Sequence, residues 1–246
     1  MEKYLFEKDY SEDSLRWLKT IENLDLKSTK FHHYKSDISI LDNLQKNIIS
    51  TKDSALAYFF SLDFNYKLYN MQKVILECQD AKYALLFAQN IKHADINALQ
   101  QIVLNSNNIK YICKFGCFIP NANKKIIEEK ILKSKNAKYS YMWLKFNKNI
   151  NFNFIKKNIL LSKKPRYLFE LSKHISDSDI KTLKKIENLI LKSKNYTYIR
   201  LFASKNEHAN IKKIEKVILD SGNQKEIIKF AKSVKNSKIR NFLLTI

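Results

Sequence analysis

The sequence predicts an all-α protein in which short helical hairpins repeat along the chain. From residue 73 onward the same pattern of side chains returns every 28 residues, which is the length of two short helices with their turns. Two Gly and two Pro in 246 residues leave few turn-formers for a many-stranded sheet, whereas helix interiors need neither residue. We therefore expect a right-handed α-solenoid of about six to seven 28-residue hairpins, each stacked on its neighbours.

Three markers define the repeat. A Ser or Cys comes first, a Tyr follows five residues later, and a large apolar residue follows the Tyr by four. The Ser/Cys markers are Cys78, Ser106, Ser134, Ser162, Ser193 and Ser221. The Tyr markers are Tyr83, Tyr111, Tyr139, Tyr167 and Tyr198. The apolar markers are Phe87, Phe115, Trp143, Leu171, Phe202 and Phe230. The common phase of the Tyr and apolar markers predicts that both pack into the core.

Asp and Asn residues mark where each helix begins. A short polar side chain there accepts hydrogen bonds from the free amides of the first turn. The first helix of a unit, helix A, follows Asp95, Asn123, Asn151, Asp179 or Asn210. The second, helix B, follows Asp80, Asn108, Asn136, Asn195 or Asn223. In the fourth copy Lys164 stands at the helix B position, and Pro165 suits the first helical residue after it.

The period is irregular at one internal place and at the C-terminal end. Ser162 and Ser193 are 31 residues apart, so the A helix between Asp179 and Ser193 is expected to be about one turn longer than the others. Apolar residues at 239 and 242–244 predict a last A-type helix that covers the final hairpin.

The N-terminal part matches the repeat less well. Ser50 lies 28 residues before Cys78, and the Phe pair at 59–60 predicts a degenerate copy over 40–66. We expect residues 1–39 to form a divergent helical cap that is continuous with a repeat array over 40–246.

The capped A helix, the Ser-x-Asn turn and the short B helix make the chain similar to helical-hairpin solenoids of the HEAT-like and leucine-rich-variant kind. The resemblance covers about residues 40–246. The unit is shorter than a HEAT or TPR unit, and the Trp-Leu-Gly pattern of TPR repeats is absent. The resemblance therefore implies an architecture of stacked hairpins and carries no functional residue across.

Positive charge is concentrated in the later part of the chain. Residues 1–100 hold 13 Lys and Arg against 14 Asp and Glu, whereas residues 101–246 hold 32 against ten. The whole chain has a net charge of +21 at pH 7. Only four of the 45 cations are Arg, and an AT-rich genome would explain that choice but not the neutral first hundred residues. The asymmetry favours an acidic partner for the later part.

Two sets of cations predict where such a partner binds. The residue before each of the first four Tyr markers occupies the second position of helix B, where a cation opposes the helix dipole and a bound anion would compensate; before the fifth marker stands Thr197. The four cations are Lys82, Lys110, Lys138 and Arg166. A second set flanks the A-to-B turns: Lys133, Lys135, Lys163, Lys164, Lys192 and Lys194. Together they predict a polyanion-binding surface, and the alternative is that these lysines are merely abundant and solvated.

We expect a non-enzymatic scaffold that binds nucleic acid through its backbone and shape, because Lys is a point charge that reads few base features. The alternative is a protein-interaction scaffold or inhibitor that docks an acidic protein surface, including that of a nucleic-acid enzyme. The Tyr series resembles a base-stacking platform only in its spacing, since its phase places it with the core.

Other classes are excluded by what the sequence lacks. It has no run of about 18 apolar residues, and its N-terminus is too acidic for a signal peptide, so we expect no membrane partner. Three Cys residues without framework spacing predict a cytoplasmic protein. Cys113 and Cys117 are four apart but have no matching ligands, so no metal and no cofactor is expected. The sequence contains no phosphate loop, nucleophile elbow or zincin motif, so we do not expect an enzyme.

Overall fold

The protein is all-α in the part that the structure describes. The computed structural model describes residues 16, 19, 20 and 38–243, with side chains through residue 240. The predicted cap over 1–39 therefore lies almost entirely outside the described residues. Within them are fifteen helices and no strand. The helices are α1 (Ile38–Thr51), α2 (Ser54–Phe64), α3 (Leu68–Cys78), α4 (Ala81–Asn90), α5 (Ile96–Asn105), α6 (Ile109–Phe118), α7 (Lys124–Ser134), α8 (Ala137–Phe146), α9 (Phe152–Ser162), α10 (Pro165–Ser172), α11 (Ile180–Lys192), α12 (Tyr196–Lys205), α13 (Ile211–Leu219), α14 (Gln224–Ser233) and α15 (Lys238–Leu243).

Odd-numbered helices are the A helices of the repeat and even-numbered helices are the B helices. The chain divides into two compact units, Met1–Ile127 and Glu128–Ile246. In the first unit the B helices α2, α4 and α6 pack on one another in order. In the second unit α8, α10, α12 and α14 do the same, and each B helix from α8 to α14 also contacts the A helix that follows it. These contacts between neighbouring helices are consistent with stacked hairpins.

The Ser markers close the turn between helix A and helix B. In the turn after α7, the Ser134 hydroxyl donates to the Ile131 carbonyl at 2.7 Å, and the Asn136 amide donates to the same hydroxyl oxygen at 3.2 Å. The same pair of hydrogen bonds recurs at Ser106, Ser162, Ser193 and Ser221. One small hydroxyl thus satisfies a carbonyl at the end of helix A and an amide at the start of helix B. This double role explains why the marker is so regular.

The predicted caps are confirmed at most helix starts. Side chains of Asp80, Asn108, Asn136, Asn195 and Asn223 accept amides of the B helices. Side chains of Asp95, Asp179 and Asn210 do so for A helices. Asn151 makes no such bond, and Lys164 is followed by Pro165 at the first helical position, as expected. Helix α11 has 13 residues against ten in α5, which confirms the longer A helix.

A second polar series joins successive hairpins, and the sequence analysis missed it. In each case a Gln or Glu in the middle of helix A accepts a hydrogen bond from the backbone amide that starts the next A helix, 23 residues later. The amide–oxygen distances are Asp95 to Gln72 2.8 Å, Asn123 to Gln100 2.7 Å, Asn151 to Glu128 2.7 Å, Asn210 to Glu187 2.8 Å and Lys238 to Glu215 2.5 Å. We call these the inter-hairpin hydrogen bonds. Because an unpaired buried amide is costly, each bond favours one placement of the next hairpin.

The apolar markers form the core of each unit, as predicted. Phe87, Phe115, Trp143, Leu171, Phe202 and Phe230 are all buried. Trp143 also donates from its indole Nε1 to Glu128 at 3.3 Å, which ties α8 to α7. The Tyr markers fit the prediction less well, because Tyr83 is buried but the four later ones are half-buried.

The first copy is real but its predicted register is wrong by one residue. Asp53 caps α2 as Asp80 caps α4, and these two caps are 27 residues apart instead of 28. The buried residue equivalent to Phe87 is consequently Phe60, while Phe59 is only half-buried. Because these caps are 27 residues apart, counting back 28 residues from Phe87 selects Phe59 instead of Phe60. The last A-type helix is present as α15.

Candidate nucleic-acid interface

Eight of the ten cations chosen from the sequence lie at three consecutive A-to-B turns of the second unit. They are Lys133, Lys135, Lys138, Lys163, Lys164, Arg166, Lys192 and Lys194, and all are exposed. The turns join α7 to α8, α9 to α10 and α11 to α12. Helix α8 packs on α10 and α10 on α12, and all three are second members of a hairpin. We call these eight residues the basic edge.

The two remaining cations, Lys82 and Lys110, lie in the first unit at the starts of α4 and α6. Both are half-buried. Eight of the predicted residues thus belong to the second unit, and these two belong to the first.

Three lysines of the basic edge have left-handed backbone conformations. The residue after each Ser marker has positive φ, with values of 51° at Lys135, 54° at Lys163 and 53° at Lys194. The same turn position carries Asn107 and Gly222 in other hairpins, residue types that tolerate this conformation. A lysine there is therefore less favourable for folding than Asn or Gly, although Gln79 has the same conformation at this position of an earlier hairpin.

The cations at the second position of helix B are held differently from the sequence-based expectation. Free amides were expected beside them, but the amides of Lys82, Lys110 and Lys138 donate to the cap side chains at 2.8, 3.1 and 3.1 Å. Each cation instead lies over the ring of the Tyr that follows it. The distances to the ring centroids are 4.9 Å for Lys82, 5.6 Å for Lys110, 5.5 Å for Lys138 and 6.0 Å for Arg166.

This cation–ring contact offsets the unfavourable helix dipole. Both effects are on the order of 0.5–1 kcal/mol at an exposed site. The contact also orients the cation relative to the Tyr ring. The Lys-Tyr or Arg-Tyr pair was visible in the sequence as adjacent residues, but the ring contact was not inferred.

No cation of the basic edge forms an ion pair with a carboxylate of the described residues. Ion pairs occur elsewhere in both units, for example between Lys52 and Glu77 at 3.5 Å in the first and between Lys229 and Glu226 at 2.9 Å in the second. Over residues 128–246 the chain has 28 Lys and Arg against ten Asp and Glu. The positive potential of the edge is therefore not neutralised locally.

Exposed cations also occur outside the edge, on the A helices of the second unit. Helix α11 carries Lys181, Lys184 and Lys185, and helix α13 carries Lys212, Lys213 and Lys216. The sequence analysis did not select them. They lie within regular helices, as four of the eight cations of the edge also do, and Lys213 contacts Asn188 and Glu187.

Glu170 and Tyr141 form a hydrogen-bonded pair on the B helices beside the edge. The Tyr141 hydroxyl donates to Glu170 at 3.0 Å, and Lys173 pairs with the same carboxylate oxygen at 3.0 Å. Burial and this carboxylate raise the pKa of Tyr141 to about 12. Although burial acts to raise the pKa of Glu170, the bonds from Lys173 and Tyr141 hold it below its usual value. Glu170 is thus a satisfied structural carboxylate rather than a proton acceptor.

The two cysteines of α6 are neighbours. The sulfurs of Cys113 and Cys117 are 3.9 Å apart, and that contact and burial raise the pKa of Cys113. No group of three or more His, Cys, Asp or Glu side chains that could hold a metal occurs in the described part of the chain. Nor does that part contain a helix with the length and apolarity to cross a membrane.

Comparison of the chain with protein-family models, curated proteins and solved structures finds no match.

Proposed function

We propose that this chain is a non-enzymatic, right-handed α-solenoid of HEAT-like hairpins that binds a polyanion, nucleic acid first, along the basic edge. The observation that carries the proposal is the row of three consecutive turns with eight exposed cations and no paired carboxylate among the described residues. Three of these cations occupy backbone positions that disfavour lysine. Their retention at a folding cost supports a role outside folding.

Recognition is of backbone and shape. Seven of the eight cations are lysines, which act as point charges and make few of the bidentate contacts that read bases. Neighbouring packed helices lie about 8–10 Å apart, so the three turns span a row of about 20 Å. A phosphate backbone can follow such a row without any fixed sequence.

Salt dependence gives the direct test. If about five of the eight cations contact phosphates of a duplex, the logarithm of the binding constant falls against the logarithm of salt concentration with a slope of about −4.5. Fluorescence anisotropy with labelled single-stranded and duplex oligonucleotides measures this slope. Absence of binding at low salt, or a slope near zero, would refute the proposal.

A matched pair of variants locates the binding surface. Neutralising Lys163, Lys164 and Arg166 to Gln removes three charges from the edge, and neutralising Lys181, Lys184 and Lys185 to Gln removes three from α11. The first variant is expected to reduce the slope by about 2–3, and the second to leave it nearly unchanged. Equal losses in both variants would show that binding is spread over the unit and would reject the edge as the site.

An acidic protein partner is the second candidate, and one residue favours it. Leu161 has 62% of its surface exposed and lies at the position of the repeat that Lys133 and Lys192 occupy. An exposed apolar side chain between cationic turns could anchor a protein interface, which typically needs an apolar centre.

The variant Leu161→Lys separates the two candidates. It adds the cation that the row lacks, so affinity for nucleic acid should rise and the salt slope should steepen by about 0.9. It also removes the apolar anchor, so affinity for an acidic protein recovered after nuclease treatment should fall. The direction of the change identifies the partner class.

A further inference from the structure

Lys156 interrupts the series of inter-hairpin hydrogen bonds. It occupies the same position in α9 that Glu128 occupies in α7 and Glu187 in α11. A lysine cannot accept the amide of the next hairpin. Instead its ammonium group donates to Asp179 Oδ2 at 3.2 Å. The Asp179 amide turns back to the Ser176 carbonyl of its own loop at 2.9 Å.

The replacement contact is open to solvent, whereas the bonds on the C-terminal side of it are not. The side chains of Lys156 and Asp179 are 22% and 37% exposed, and that of Glu187 is 7% exposed. Glu215 is buried as well. A partly exposed ion pair is screened by salt, while a buried hydrogen bond between a carboxylate and an amide is screened far less.

The connection at this place is also longer. Helix α10 has eight residues, whereas α8 and α12 have ten each. The loop from α10 to α11 runs over residues 173–179, seven residues against five between α8 and α9. Its polar tip, Ser176 to Ser178, is exposed.

We propose that the junction between the α9–α10 and α11–α12 hairpins is a salt-sensitive hinge. At this junction a buried amide acceptor is exchanged for a half-buried ion pair, and the connecting loop is longer. Opening the ion pair leaves the Asp179 amide satisfied within its own loop, so local separation exposes no unpaired backbone group there. The junction after α11 differs, because separation there would leave the Asn210 amide without its Glu187 acceptor.

Hydrogen exchange measured by NMR on the full chain, without any ligand, tests the hinge. The probes are the amides of Thr182 and Leu183 in the first turn of α11, and the controls are the equivalent amides of Lys213 and Ile214 in α13. Both pairs are bonded to the cap residue in the same way. Raising salt from about 50 mM to about 500 mM should speed exchange of the α11 probes by about threefold or more and leave the controls unchanged. Equal and salt-independent exchange at both sites would overturn the proposal.

Two double variants exchange the residues of the two junctions and so test the mechanism in both directions. The double variant Lys156→Glu with Asp179→Asn recreates the Glu–Asn arrangement of the next junction, so the salt effect at Thr182 should disappear. The double variant Glu187→Lys with Asn210→Asp installs the ion pair after α11, so Lys213 should become salt-sensitive. If neither transfer moves the salt effect, loop length rather than the ion pair controls exchange and the hinge mechanism is wrong.

The hinge would affect how the basic edge binds a polyanion, and this inference rests on the proposed function. Lys163 and Lys164 lie before the junction, and Lys192 and Lys194 lie after it. Movement at the hinge would change the spacing between these two cationic turns and so fit phosphates of different spacing. The exchange experiment contains no nucleic acid, so the hinge can fail while binding is observed, or stand while no binding occurs.

Discussion

Replacing Lys163 by Gly should make the protein more stable and a weaker polyanion binder at the same time. Lys163 follows the Ser162 turn with φ of 54°, a left-handed conformation that carries a Cβ penalty. Gly removes that penalty, and Gly222 already occupies the equivalent turn of the last hairpin with φ of 63°. The same change removes one exposed cation from the basic edge.

The expected gain follows from two opposing backbone terms. A residue without Cβ adopts the left-handed conformation without the steric penalty of roughly 1–2 kcal/mol that Lys has there. Greater freedom of Gly in the unfolded chain returns about 0.5–1 kcal/mol. The net increase in the free energy of unfolding is therefore about 0.5–1 kcal/mol, or about 1–4 °C in Tm for a chain of this size.

Lys163→Gln is the matched control, because it removes the same charge but keeps the Cβ, and Gln79 already stands at this position with φ of 54°. Thermal and urea unfolding, with anisotropy titrations of an oligonucleotide, are measured for both variants. Both should flatten the salt slope by about 0.9, but only the Gly variant should be more stable. The conformational reasoning fails if Gly is no more stable than Gln. The binding reasoning fails if both variants keep the affinity and slope of the original chain.

Three further predictions test the framework that positions the edge. Glu187→Gln should lower the free energy of unfolding by less than about 1 kcal/mol, because Gln also accepts an amide, as Gln100 does. Glu187→Leu should lower it by about 2–3 kcal/mol, because the Asn210 amide loses its acceptor. Urea unfolding compares the two variants. Ser193→Ala should cost about 1 kcal/mol and Ser193→Thr less, since Ala removes both turn hydrogen bonds; thermal unfolding measures this. Glu170 has a lowered folded-state pKa, so its stabilisation is complete above its unfolded value near 4.5 and is lost as pH falls through the folded value. Unfolding from pH 7 to 3 should therefore show a smaller acid-induced loss in Glu170→Gln, by about 0.5–1 kcal/mol.

The helix boundaries could be predicted from the sequence because their causes are local. A cap such as Asn210 and the amide of Lys213 that it binds are three residues apart, and the Ser marker acts within five residues. Short-range polar chemistry of this kind leaves a periodic trace that a single sequence displays. The longer α11 was predictable for the same reason, since the extra residues fall between a cap and a marker.

The inter-hairpin hydrogen bonds could not be predicted in the same way. A Gln or Glu in the middle of a helix is typical of any solvent-exposed helix face, and its amide partner lies 23 residues away. A signal existed, because Gln72, Gln100 and Glu128 follow one another at 28 residues, in phase with the markers. That signal indicates a shared environment but does not say that the environment is buried.

Some features of the basic edge could likewise be predicted from the sequence and others could not. Exposure of Lys135, Lys163 and Lys194 follows from their place in a turn, which the sequence indicates. Their left-handed backbone does not follow, because Gly or Asn would be the expected residue there. The ring contacts of Lys138 and Arg166 were also missed, since residues adjacent in a helix do not normally face each other and this contact depends on the direction of a long flexible side chain.

The residue that forms the inter-hairpin bond changes with the charge of the unit around it. In the first unit the acceptors are Gln72 and Gln100, and that unit carries 17 Lys and Arg against 14 Asp and Glu. In the second unit the acceptors are Glu128, Glu187 and Glu215, and the net charge there is +18. Either side chain accepts the amide equally well. A Glu differs from a Gln at the same position by one formal negative charge. The Glu series therefore partly offsets the self-repulsion that the basic edge introduces, so the charge of the second unit has consequences inside its core as well as on its surface.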